Sequence, residues 1–163
     1  VSMQARTKKT LALITVGLVV TAVAFVGVLY ALIRDSDPRL PEITAFAHGH
    51  AEQVAPLAFC NLYLENCETG RLAELDVPPG SALQLSLPQE IVDAPWRMVV
   101  VYQDPSGQVV VQERAHRAGE TRAVTVPSTE ELQLAGVEIQ LPSAVIDEQG
   151  LTQARAAWSI KTA

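Results

Sequence analysis

From Leu11 to Ile33 the chain carries 23 consecutive residues without a charge, and no other stretch limits its fold so strongly. The only polar side-chain groups in that run are the hydroxyls of Thr15 and Thr21 and the phenol of Tyr30. As an α-helix the run extends about 35 Å at 1.5 Å per residue, which exceeds the bilayer's hydrocarbon core of about 30 Å. Lipid offers no partner for a backbone amide, so helix is the state in which such a run crosses a bilayer. Its apolar residues cover every face, which argues against the one-sided core helix of a soluble domain. Gly17 and Gly27 stand ten apart and form no GxxxG pairing face.

The flanks set an expected orientation. Arg6, Lys8 and Lys9 precede the run, whereas Arg34-Asp35-Ser36-Asp37 follows it with a net negative charge. Positive flanks stay cytoplasmic, so the N-terminus is expected inside and everything after Arg34 outside. An uncleaved signal anchor is the reading adopted. The alternative is a cleaved signal peptide with Ala22-Val23-Ala24 as the small-x-small site, but that cut leaves the apolar Phe25–Ile33 stretch at the new N-terminus. The next cysteine is Cys60, which speaks against a lipoprotein. The expected division is a cytoplasmic segment at 1–10, a transmembrane anchor at 11–33, a linker at 34–42 and an extracytoplasmic domain at 43–163.

Length and charge narrow what that domain can be. The 163 residues suffice for one ordinary domain with an appendage. Lys and Arg total 12 against 18 Asp and Glu, a net charge of −6. An acidic chain lacks the basic face that neutralises phosphates, so nucleic acid is excluded as a partner. An apolar share of 48% with 18% charged residues excludes a disordered chain. Pro38 and Pro41 stiffen the linker, and Asp35 to Glu42 spans at most about 28 Å at about 3.5 Å per residue. The domain is therefore held close to the membrane.

Beyond Ile43 the apolar period is two. Leu83, Leu85 and Leu87 alternate with polar residues, as do Val124 and Val126, then Val137, Ile139 and Leu141, then Ala156, Trp158 and Ile160. Such alternation marks half-buried antiparallel strands. Asp104-Pro105-Ser106-Gly107 separates a strand over Trp96–Gln103 from one over Gln108–Glu113, and Asp147-Glu148-Gln149-Gly150 reads as a second hairpin turn. Pro142 marks a bulge or an edge, and Gln89–Ala94 a single helical turn stopped by Pro95. Seven to nine short strands predict a mainly β fold, an antiparallel β-sandwich of immunoglobulin-like kind preceded by a single transmembrane helix. Trp96 is a candidate core tryptophan. A small closed barrel is the alternative.

Few residues point to chemistry. Cys60 and Cys67, seven apart, are the only cysteines, and outside the cell they are expected to form a structural disulfide. A redox pair would instead stand as CxxC. His48-Gly49-His50 reads as a turn between two strands, and with His116 and the cysteines it matches no zinc-ligand spacing. No nucleophile, metalloprotease or phosphate-loop motif occurs. Arg97, Arg114, Arg117 and Arg122 fall on or near the Trp96–Val126 strands, with Arg114 and Arg117 flanking His116 in an expected loop. They read as ion-pair partners on a sheet's outer face or, alternatively, as a basic patch for anionic lipid or an acidic partner. No catalytic residue, cofactor or metal ligand is assigned.

Several motifs occur together: Ser36-Asp37-Pro38-Arg39-Leu40-Pro41-Glu42-Ile43-Thr44, the histidine-glycine turn, Phe59-Cys60 with Cys67, Leu87-Pro88, Ala94-Pro95-Trp96-Arg97, Val101-Tyr102-Gln103-Asp104-Pro105 and Ala157-Trp158-Ser159. As a set, with the N-terminal apolar run, they resemble an actinobacterial domain-of-unknown-function family of short membrane-anchored exported proteins. The resemblance implies a cell-envelope location and carries over no reaction. The expected role is a non-enzymatic accessory or interaction module for a membrane complex or transporter. The alternatives are an extracytoplasmic carrier or sensor for a small molecule or lipid, and a hydrolase with a non-local site.

The topology has a direct check. A cysteine engineered near Gly107 is expected to react with a membrane-impermeant reagent on intact cells; reaction only after lysis would reverse the orientation.

Overall fold

The computed structural model describes residues 5–34 and 39–162, with side chains from Thr10 onward. It divides into two compact units, Val1–Arg39 and Leu40–Ala163. The linker reading falls partly on residues 35–38, which lie outside the described residues.

The first unit is one helix, α1 (Ala5–Arg34). Its apolar stretch is long enough to cross a membrane, and none of that stretch is buried within the protein. Thr15 Oγ1 donates to the carbonyl of Leu11 and Thr21 Oγ1 to that of Gly17, each at 2.9 Å. Both threonine hydroxyls are thus satisfied inside the helix, as a lipid surrounding requires.

The second unit is built from β1 (Ile43–Ala47), β2 (His50–Val54), β3 (Ala58–Phe59), β4 (Glu68–Thr69), β5 (Ala73–Glu74) and β6 (Ala82–Ser86). A single helical turn, α2 (Gln89–Val92), leads to β7 (Trp96–Gln103), β8 (Val109–His116), β9 (Ala123–Pro127), β10 (Gln133–Ile146) and β11 (Thr152–Lys161). One antiparallel sheet has the order β2-β1-β6-β9, the other β4-β3-β11-β10-β7-β8. On the free side of β11, β3 pairs antiparallel with Ala156 and Ala157, and β5 pairs parallel with Ile160 and Lys161. Among the described residues no strand of one sheet pairs with the other, so the fold is a two-sheet sandwich and not a closed barrel.

The core forms from the predicted alternation. Leu83, Leu85, Val124 and Val126 from one sheet meet Val137, Ile139, Leu141, Ala156, Trp158 and Ile160 from the other in one buried cluster, together with Trp96, Met98 and Val100. Trp158 is buried, and its Nε1 donates to the carbonyl of Pro41 at 2.8 Å. That bond ties the first residues of the domain to its last strand.

The turns obey their aspartates. Asp104 Oδ1 accepts hydrogen bonds from the amides of Ser106 and Gln108 and from the Ser106 hydroxyl, at 2.6–2.9 Å. Gly107 closes the turn at φ +85°. Asp147 Oδ1 does the same for Gln149 and Leu151. At the β1–β2 hairpin, His48 and Gly49 occupy a two-residue loop with both φ values positive, the type I′ geometry that suits the strand twist. Pro142 sits at a register shift between β10 and β11, beyond the last β10–β7 pair, where its missing N–H breaks no bond to β7.

One expectation is corrected. Arg114 and His116 lie in β8, not in a loop, because β8 continues past Glu113 to His116. The eight-residue β7 offers a full ladder, from Gln103↔Val109 to Trp96↔His116, and that pairing outweighs the weak strand preference of Arg114–His116.

Registers also define two ends of the sandwich. Thr44 faces Ser86, so the start of β1 lies beside the end of β6, and α2 connects that point to the start of β7. The chain therefore joins the domain at the end that holds Trp96 (the linker end). The turns at His48–Gly49 and Asp104–Gly107 lie at the opposite, distal end.

Three substitutions probe this framework. Trp158→Phe should lower stability by about 2 kcal/mol, from one lost hydrogen bond and a smaller core ring, read by denaturant unfolding of the detergent-solubilised chain. Gly70→Ala should destabilise by more than about 2 kcal/mol, because a Cβ there would stand 2.1 Å from the Pro56 carbonyl oxygen. The hydrogen bond from Ser106, then those from backbone amides, hold the Asp104 carboxyl below the ordinary aspartate range. A depressed acid stabilises the fold above its unfolded pKa and loses that contribution as pH falls through the folded one. Protection of the Ser106 and Gln108 amides, taken as exchange relative to the intrinsic rate at each pH, should therefore fall on acidification, and Asp104→Ala should remove that carboxylate-dependent protection.

Candidate functional site

The linker end of the larger sheet holds a cavity of about 270 Å³. Three features of the chain create it. Pro95 ends the α2 turn and delivers Trp96 as the first residue of β7. β10 runs on past its last partner on β7, Gln140↔Arg97. The register shift at Pro142 then separates β10 from β11, so Leu151, Thr152 and Ala154 form the far wall. Pro95, Trp96, Ala115, Pro142, Leu151 and Ala154 make the lining mostly apolar, with Arg97, His116, Gln140 and Thr152 as its polar members.

Trp96 and His116 face each other across β7 and β8 and stack at 4.0 Å between ring centres, 16° from parallel. The His116 side chain is 9% exposed. Trp96 Nε1 and both ring nitrogens of His116 are buried without a hydrogen-bond partner. The Glu120 carboxylate stands 3.9 Å from His116 Nδ1, too far for a hydrogen bond, and accepts instead from the Arg117 amide at 2.7 Å. Three unpartnered nitrogens at one cavity are costly, since an unmet buried donor or acceptor loses about 1–3 kcal/mol.

From the cavity's polar side, where Arg97 and Gln140 stand, a polar row crosses the sheet's outer face. Arg97 donates to Gln140 Oε1 through Nε at 3.0 Å and Nη2 at 2.6 Å, and to Glu113 through Nη1 at 3.1 Å. Gln140 donates to Glu138, whose other oxygen accepts from Ser159 Oγ at 2.8 Å. Arg97 thus fits the ion-pair reading. Arg114 is on the opposite face of β8, Arg122 donates to Gln89, and Arg117 lies in the β8–β9 connection, so the four arginines do not converge.

No carboxylate, cysteine or serine lines the cavity, and no hydrogen bond joins His116 to a hydroxyl. Among the described residues, Tyr102 and Asp104 are displaced from their ordinary values. Burial pushes the Tyr102 phenol up, with Arg114 opposing, and Asp104 is pulled down by its turn. Neither lines the cavity.

Cys60 and Cys67 are joined in a disulfide, S–S 2.03 Å. Between them Asn61 Oδ1 accepts from the amides of Tyr63 and Glu65, and Leu64 and Asn66 adopt left-handed φ. The Ala144 amide donates to the Leu62 carbonyl at 2.9 Å and fastens this loop to the β10–β11 hairpin. His48 and His50 lie at the distal end, away from both sulfurs, and among the described residues no group of three His, Cys, Asp or Glu is placed to hold a metal. The Trp96–His116 pair and its cavity escaped the sequence reading. The signal was present, because counting outward from the Asp104 turn places His116 opposite Trp96.

The disulfide closes an eight-residue loop, worth about 2.5 kcal/mol on the chain-entropy account. Cys60→Ser should lower stability by about that amount, and the intact oxidised chain should weigh two hydrogens less than its reduced form by mass spectrometry.

Comparison with known proteins agrees with the resemblance at the level of the family. The family described as "Protein of unknown function (DUF2771)" matches residues 36–163. Uncharacterized proteins of Mycobacterium tuberculosis and Mycobacterium bovis are each 37% identical over 139 residues, covering 81% of this chain and 83% of theirs. No solved structure matches the chain. With nearly all of the strand-built unit inside that match, the chain belongs to the DUF2771 family.

Proposed function

We propose that this chain is a membrane-anchored extracytoplasmic interaction module, which acts by binding a protein of a membrane complex or transporter and catalyses no reaction itself. The apolar helix supports anchoring, the flanking charges support an N-in orientation, and the disulfide suits an oxidising compartment.

The observation that carries the binding role is the edge strand β8. Among the described residues it pairs only with β7, and its other backbone edge is open along eight residues. Val109 and Val111 are exposed on it. Natural edges are usually blunted by charge, proline or a bulge. Here the charges Glu113 and Arg114 fall in the second half of β8, which leaves Val109–Gln112 unguarded. A long open edge with alternate apolar side chains is the surface to which an extended segment of a partner adds as a further strand.

A second reading has its own support. The cavity has a mostly apolar lining with a few polar groups, as a carrier or sensor for a small amphiphile would, and two of its walls are the stacked rings of Trp96 and His116. Both readings are non-enzymatic.

A photo-crosslinking residue at Val111 of the full chain in native membranes should give one discrete protein adduct that is absent with the same residue at the exposed Glu130. Replacing Val109 and Val111 by lysine should cut partner capture about tenfold while leaving the unfolding midpoint unchanged. Equal adducts from both positions would contradict the β8 assignment. Stoichiometric retention of a small molecule through mild extraction, with no protein adduct, would favour the carrier.

A further inference from the structure

We infer that the linker end of the sandwich is a lipid-contacting surface, whose exposed apolar side chains rest in the interfacial layer of the bilayer holding α1. This rests on the anchoring reading above and goes beyond it.

Strand register places four large apolar side chains at one end. Gln140 is the last β10 residue paired to β7, at Arg97, so the following hairpin with Ile146 and Leu151 projects beyond the start of β7. Ala156 faces Phe59, which directs the chain leaving β3 into the disulfide loop at that same end, with Leu62 and Tyr63 on it. The bond from Ala144 to Leu62 holds the two loops together. Leu62, Tyr63, Ile146 and Leu151 are 48%, 67%, 65% and 67% exposed. The distal turns at His48–Gly49, Asp104–Gln108 and Thr129–Glu131 carry no large exposed apolar residue; Phe46 and Val109, exposed near that end, lie on strands.

The chain joins the sandwich at this apolar end. Seven peptide units connect Arg34, where α1 stops, to Pro41, a reach of at most about 25 Å. A bilayer is therefore an apolar phase within range of these loops whatever else is present. Tyrosine also favours the membrane–water interface. The acidic hairpin tip sets how the end approaches. Asp147 is engaged with two turn amides, and Glu148 is charged, so the hairpin lies along the surface with Ile146 and Leu151 turned in and the tip among the headgroups.

The native thiols are tied in the disulfide, so Leu151→Cys and, as a distal control, Ser106→Cys each supply one site for an environment-sensitive fluorophore on the full chain. In phosphatidylcholine vesicles the label at 151 should emit to the blue of the label at 106. Lipids carrying a shallow nitroxide should quench it at least about twofold more, as expected for apolar groups seated about 5–10 Å deep. Ile146→Ser, a change at an exposed position, should reduce that quenching without altering the unfolding midpoint. Water-like emission at both positions in chains that float with the vesicles would overturn the inference and leave anchoring intact. Failure to float would remove both. Shielding at 151 in native membranes but not in protein-free vesicles would assign this end to a protein partner and overturn the lipid assignment.

Discussion

The apolar helix is long enough to cross a membrane, and among the described residues none of that stretch is buried. Thr15 and Thr21 satisfy their hydroxyls on the helix's own backbone. Burying apolar surface is the main favourable term in folding, at roughly 25 cal/mol per Å². A 25-residue apolar surface left in water would oppose it on the same scale, and lipid is the phase that removes that opposition. The acidic, strand-built unit draws its circumstances from this helix. On the anchoring reading it is held within a few tens of ångströms of a bilayer, and its cysteines are expected on the oxidising side.

Within the sandwich, long-range fastenings hold both ends. Near the linker, Trp158 holds Pro41, Ala144 holds Leu62, and the disulfide closes the loop beside them. At the distal end the Gly80 amide donates to the Ser128 carbonyl and Thr162 Oγ1 to that of Leu134, while Asp104 orders its own hairpin. The fastened loops at the linker end are the ones that carry exposed leucine, isoleucine and tyrosine.

Much of this was legible in the sequence, for identifiable reasons. Period-two alternation located β6, β9, β10 and β11 because each has one wet and one dry face. The two aspartate–glycine turns were readable because their hydrogen bonds are local. β8 was cut short at Glu113 because Arg114–His116 form strand only through pairing with β7, and a lone segment does not reveal its partner. The cavity went unseen for a related reason. Its walls come from β7, β8, β10 and β11, and only register brings Trp96 onto His116 beside Leu151. The disulfide was readable because two cysteines in a segment expected outside the cell leave one pairing.

An open strand edge, an apolar cavity and a loop end rich in apolar side chains carry the proposed reading of a binding protein at a membrane, and that reading presupposes that the helix stays in lipid. Alkaline carbonate extraction of native membranes, followed by detection of the uncleaved chain, tests that most directly. The account predicts the full-length chain in the membrane pellet. Its quantitative release into the supernatant, as a folded protein with the helix attached, would contradict it.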